Sequence, residues 1–126
     1  MKRSIISTSH APAAIGPYSQ AIRTGDMLFT SGQIPIVPSS GKIETVDIAG
    51  QTKQVMANLD EVLKAAGTDF SRVVKATIFL TDLGNFATVN EIYATCFPKD
   101  PPARSCVQVS KLPKDALIEI EMIAII

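Results

Sequence analysis

The chain predicts an α+β fold of one domain, residues 1–126, in which a mixed β-sheet carries two helices packed on one of its faces. Three observations predict it. Two stretches, 48–66 and 86–96, repeat apolar residues at helical spacing and end at a breaker. Segments before, between and after them alternate in polarity or are apolar on both faces, as strands are. A Thr24-Gly25-Asp26 turn joins two of these segments as a hairpin.

Residues 5–7 read as a short strand that stops before the Ala11-Pro12 loop, and residues 19–23 and 27–31 are the arms of the hairpin. Pro35, Pro38 and Ser39-Ser40-Gly41 predict an irregular connection. Asp47 is placed to cap the first helix, 48–66. Its Ile48, Val55, Met56, Leu59, Val62, Leu63 and Ala66 make one apolar stripe before Gly67 stops it. Residues 73–80 are β-branched and apolar on both faces, which marks a central strand. The second helix, 86–96, presents Phe86, Val89, Ile92, Tyr93 and Phe97, and Pro98 cuts it off. Segments 104–109 and 116–126 complete the sheet. The last carries Ile118, Ile120 and Met122 on one side and Leu117, Ile123 and Ile125 on the other, so both faces call for cover. Two helices cover one face, and for a chain of this size a subunit interface is the economical cover for the other.

With 46% apolar and 19% charged residues in 126, the composition is that of a globular domain able to build a core without staples. Twelve basic residues balance twelve acidic ones, which counts against nucleic-acid binding by bulk charge; Arg104, Lys111 and Lys114 are the nearest approach to a basic patch. Cys96 and Cys106, without a CxxC and with His10 as the single histidine, support neither a disulfide framework nor a zinc site. No apolar run spans a membrane without a charge, and the N-terminal Met-Lys-Arg-Ser-Ile-Ile-Ser-Thr has no long apolar core. The expectation is a soluble protein of a reducing compartment, the cytoplasm, with no membrane segment and no metal.

Chemistry concentrates near the C-terminus. Pro101-Pro102-Ala103-Arg104-Ser105-Cys106-Val107 is followed, after Leu-Pro-Lys-Asp, by Ile118-Glu119-Ile120-Glu121, and the two pieces read as neighbouring strands. Alternation puts Arg104, Cys106 and Gln108 on one face of the first and Glu119 with Glu121 on one face of the second. On this reading the guanidinium, thiol and carboxylates converge on one small site. Arginine beside carboxylates forms either a structural ion pair with Glu119 or Glu121, or a ligand clamp whose planar fork holds a small acid by two parallel bonds.

Together with Ala13-Ala14-Ile15-Gly16-Pro17-Tyr18-Ser19-Gln20-Ala21, Thr30-Ser31-Gly32-Gln33 and Asn85-Phe86-Ala87-Thr88-Val89-Asn90, these pieces resemble the RidA (YjgF) family of reactive intermediate deaminases, in order and at matching spacing over nearly the whole chain. The resemblance implies a chorismate mutase-like fold assembled as a homotrimer, with sites in the clefts between subunits. It also implies hydrolysis, without cofactor or metal, of 2-imino and enamine acids such as 2-aminoacrylate and 2-iminobutanoate. The products are 2-keto acids and ammonia, and pyridoxal-phosphate enzymes are thereby spared damage.

Under that resemblance Arg104 clamps the substrate carboxylate, while Glu119 orients or activates water. The phenol of Tyr18 lies near the substrate and shares in proton transfer, and Asn90 lines or supports the site. From the residues alone, Tyr18 reads first as a half-buried anchor with its hydroxyl satisfied, and otherwise as a phenol reaching into a cleft. Ser31 and Gly32 read as a strand-ending turn or as a backbone donor to a ligand, since Gly32 permits close approach. Asn90, unfavourable inside a helix, bonds something outside it. Cys106 shares the face of Arg104 but has no histidine to activate it, so it is a pocket wall rather than a nucleophile. The rival readings are a single-strand endoribonuclease that inhibits translation, a chaperone-like protein, and a carboxylate-binding regulator without chemistry. A ribonuclease calls for a general acid/base pair and a basic groove with stacking aromatics, and this chain has no tryptophan, two tyrosines and one histidine.

Overall fold

The computed structural model describes residues 2–126. Eight strands and two helices form in chain order: β1 (Arg3–Ile6), β2 (Ala21–Thr24), β3 (Met27–Thr30), β4 (Ile36–Val37), β5 (Lys42–Ile43), α1 (Ile48–Ala65), β6 (Val73–Leu80), α2 (Phe86–Cys96), β7 (Ala103–Gln108) and β8 (Ile118–Ile125). Six strands make one sheet in the order β1-β2-β3-β8-β6-β7. Only the β6–β7 pair is parallel, because α2 returns the chain across the sheet between them. The sheet is therefore mixed, as the pattern predicts. The segment read as irregular contains a small hairpin, β4 with β5, turned by Gly41 at φ 70°.

Local chemistry sets the ends of α1. Asp47 Oδ2 accepts from the Gly50 N–H at 3.2 Å. At the other end Gly67 takes φ 81°, and the N–H groups of Gly67 and Thr68 return to the carbonyls of Lys64 and Leu63. The stripe residues Val55, Leu59, Val62 and Leu63 are fully buried against Ile78, Ile120 and Met122, each worth about 1.5–3 kcal/mol of transfer free energy. Val89, Tyr93 and Phe97 of the α2 segment join the same core.

Two buried polar residues of α1 tie the helix to the sheet margin, and a third, Thr52, bonds within the helix. The Asn58 amide donates to the carbonyls of Ile34 and Ile36 at 3.3 and 2.9 Å. Gln51 donates to Thr45 O and accepts from the Leu117 N–H. Thr52 Oγ1 bonds back to Ile48 O. These bonds fix the residue stretches on either side of the pocket described below.

Both helices lie on the face formed by Ala76, Ile78, Leu80, Ile118, Ile120, Met122 and Ala124. On the opposite face Phe29, Val107 and Ile125 remain about 40% exposed. That face is uncovered in the single chain.

Candidate active site

Glu119 stands on the uncovered face of β8, opposite Phe79 of β6. A change of pairing count places its neighbours. Phe29 pairs with Ile123 and Gln33 with Ile120, so four residues of one strand answer three of the other. The chain bulges between them, and Thr30 Oγ1 takes up the Met122 N–H at 2.9 Å. The bulge brings Gly32 onto the Glu119 side chain. A Cβ at Gly32 would fall 2.7 Å from Glu119 Cδ and 2.9 Å from its Cγ, and closer still to Oε2. A side chain at this position would force the carboxylate to move, so glycine permits the observed placement of Glu119.

Ser31 closes the bulge against the start of β2. Its N–H donates to Gln20 O at 2.9 Å and its hydroxyl to Ser19 O at 2.6 Å. The hydroxyl proton is thereby committed to the main chain, whereas the Gly32 N–H donates to no group among the described residues. Tyr18 is 46% exposed, and its phenol oxygen accepts from the Ile15 N–H at 3.2 Å. Tyr18, Ser31, Gly32 and Glu119, with Ile15, Ile34 and Pro113, enclose a pocket of about 280 Å³. Burial, and secondly the charge of Glu121, push the Glu119 carboxyl above the ordinary range.

Arg104 occupies different surroundings. It projects from the helix-covered face of β7 toward α2, where Nη1 donates to Asn90 Oδ1 at 2.7 Å. Its guanidinium carbon lies 5.3 Å from the ring centre of Phe86 and 5.1 Å from that of Tyr93. Arg104, Asn90 and Tyr93 line a second cavity, about 380 Å³, walled by Ala94, Phe97 and Pro101-Pro102. Cys106 shares this face; burial raises its thiol pKa and the Arg104 charge offsets only part of that.

The expected convergence within one chain does not occur. β6 lies between β7 and β8, so the two pieces are not neighbouring strands. Ala76 of β6 pairs with both Arg104 and Met122, which puts the even-numbered residues of β7 and β8 on one face and Glu119 on the other. The ion-pair alternative fails for the same reason. Among the described residues the salt bridges are Lys64–Asp60 and Lys111–Asp115, both exposed helical or turn pairs. The structure thus joins Tyr18, Ser31, Gly32 and Glu119 around one pocket and Arg104 with Asn90 around another, whereas Cys106, two residues further along β7, shares the Arg104 face but lines neither pocket, contrary to its reading as a pocket wall. Helical periodicity assigns Phe86 and Tyr93 to the apolar stripe of α2, whereas the structure sets both rings beside Arg104. Their spacing from Asn90, four before and three after, places all three on one helical stripe, and that was the available signal.

Comparisons with known proteins agree with this fold. The family model described as Endoribonuclease L-PSP matches residues 8–126. A 2-iminobutanoate/2-iminopropanoate deaminase of Rattus norvegicus is 53% identical over 98% of this chain and 90% of its own length. A crystal structure of a conserved Rid family protein of unknown function, YyfA from Yersinia pestis, superposes with a TM-score of 0.97. It is 52% identical and covers 99% of this chain and 100% of its own. The structure of E. coli TdcF with bound serine gives 0.93 at 46% identity, over 98% of each chain. With a family model spanning nearly the whole sequence and relatives above half identity, the chain belongs to the RidA/YjgF family.

Proposed function

We propose that the protein hydrolyses short 2-imino and enamine acids to 2-keto acids and ammonia, as a homotrimer whose sites form between neighbouring copies. One observation carries the reading: each polar half-site opens onto its own pocket, and the sheet face bearing Glu119 is uncovered, with Phe29, Val107 and Ile125 exposed on it among polar side chains. A second copy laid on that face supplies cover and brings one chain's Arg104 toward another's Glu119. The name of the rat relative and the serine bound to TdcF support a small amino-acid-like ligand.

In this assembly Arg104 holds the carboxylate edge-on through two charge-assisted hydrogen bonds. Glu119 accepts a proton from water as the water oxygen bonds to C2 of the imine, and the imine nitrogen takes up a proton. The Gly32 N–H and the Tyr18 phenol orient the water or the substrate. Collapse of the resulting carbinolamine breaks the C–N bond, releases ammonia and leaves a C2 carbonyl. An imine already hydrolyses in water, so positioning accounts for most of the work asked of the site. Among the described residues no three His, Cys, Asp or Glu side chains cluster as metal ligands, and no helix is long and apolar enough to cross a membrane. Two free cysteines suit a reducing compartment such as the cytoplasm.

The test sets imine hydrolysis beside RNA cleavage. Arg104→Lys keeps the charge but loses the fork, and costs on the order of 2–4 kcal/mol in transition-state stabilisation of imine hydrolysis. Undiminished imine turnover in the folded lysine variant removes the clamp. Salt-sensitive RNA cleavage by the wild type without imine turnover replaces the deaminase with the ribonuclease that the family description names.

A further inference from the structure

We propose that Phe86 and Tyr93, with Asn90 between them, are positioning residues that hold the Arg104 guanidinium for a ligand carboxylate while leaving its charge unneutralised; the inference rests on the reading of Arg104 as a carboxylate clamp. The three residues stand at positions i, i+4 and i+7 of α2, one stripe two turns long. The guanidinium carbon lies 5.3 Å from the centre of the Phe86 ring and 5.1 Å from that of Tyr93, and Asn90 fastens one of its nitrogens. A half-buried arginine ordinarily recruits a carboxylate, because an unpaired buried charge is costly. None lies within salt-bridge distance of Arg104. Two ring faces and a neutral amide take that place, which compensates desolvation without supplying a competing anion.

Two further facts point the same way. Phe86 is 38% exposed, so core burial does not account for an aromatic residue there. Tyr93 is buried and packs on Phe97, yet its hydroxyl has no hydrogen-bond partner among the described residues, so within the chain its ring, shared between the core and Arg104, makes its contacts. Both rings lie within about 5.3 Å of the guanidinium carbon and Asn90 engages Nη1, which leaves the other guanidinium nitrogens to donate to a carboxylate.

The test measures binding of 2-oxobutanoate, the product of 2-iminobutanoate hydrolysis, by titration calorimetry, alongside imine turnover. Phe86→Leu, at a partly exposed position, is expected to weaken 2-oxobutanoate about 3- to 10-fold and to raise KM by a similar factor while kcat changes less than about twofold. In an Arg104→Lys background the same substitution should change Kd less than about twofold, since the stacking partner is gone. Tyr93→Phe should restore the affinity that Tyr93→Leu loses. Asn90→Asp, which installs the missing anion, should weaken binding more than Asn90→Ser does. Equal losses from Phe86→Leu in both backgrounds mean a merely structural role and overturn the proposal, as does wild-type affinity in Phe86→Leu or no 2-oxobutanoate binding by the wild type. Binding that follows the predicted coupling in a protein without imine turnover sinks the deaminase reading alone. Turnover without coupling sinks the positioning role alone.

Discussion

The carboxylate half and the guanidinium half of the site are built by opposite means. Glu119 is placed by backbone: a bulge, a missing side chain at Gly32 and a strand end tied down by Ser31. Arg104 is placed by side chains, two rings and an amide from a single helix. The first half is therefore sensitive to an added side chain at Gly32, and the second to loss of a ring. The sheet also separates them: β6 lies between their strands and they stand on opposite faces, so they do not pair within the chain.

The largest expected effect tests whether the halves are joined between copies. Arg104→Ala and Glu119→Gln should each be nearly inactive alone. Subunit-exchanged mixtures should recover about one quarter of wild-type activity, because half of each contribution is intact and a site needs both. Mixed trimers verified by native mass spectrometry that show no recovery place both groups in one subunit's site instead. Gly32→Ala comes next. Its methyl group displaces the Glu119 carboxylate, and kcat should fall about 100-fold with the trimer intact. Activity near that of the wild type would show that Glu119 need not occupy its observed place.

A smaller effect concerns pH. The Glu119 carboxyl is raised by burial first and by Glu121 second, so ionisation, and with it base function, is lost as pH falls through the raised value. Glu121→Gln removes the like charge and should move the acid limb of kcat/KM to lower pH, leaving it above the ordinary carboxylate range. An unmoved limb assigns it to another group. The same raised pKa makes this carboxyl's contribution to stability fall as pH rises from its unfolded pKa through its folded one. The smallest effect is at Cys106, whose thiol is held protonated by burial. Cys106→Ser should change turnover less than about threefold, and abolished turnover in an intact trimer would require a covalent mechanism.

What the sequence reveals divides along the same line as the two halves. Helix limits were legible because Asp47, Gly67 and Pro98 act on their own neighbourhoods. The central strand and the facing of residues within β7 and within β8 followed from alternation alone. The relation between those two strands did not, since it depends on β6 entering between them and on a register set by long-range pairing. The buried amides of Gln51 and Asn58 were invisible for a similar reason: the partners outside the helix that anchor them, Leu117, Ile34 and Ile36, lie 22 to 66 residues away. Phe86 and Tyr93 fitted an apolar stripe, and nothing local distinguished a ring packed on leucine from one packed on arginine. The individual site residues could be named from the resemblance; which of them share a chain's pocket could not.

The bulge between Phe29 and Gln33 bears on how this segment tolerates changes of length. Strand pairing by itself would accept a chain one residue shorter there, since three residues would then answer three and the ladder would run without interruption. The pocket would not, because the residue removed is the one that turns Ser31 and Gly32 toward Glu119. Folding and chemistry thus place opposing demands on the same short stretch. Its length is set by the reaction and only permitted by the fold.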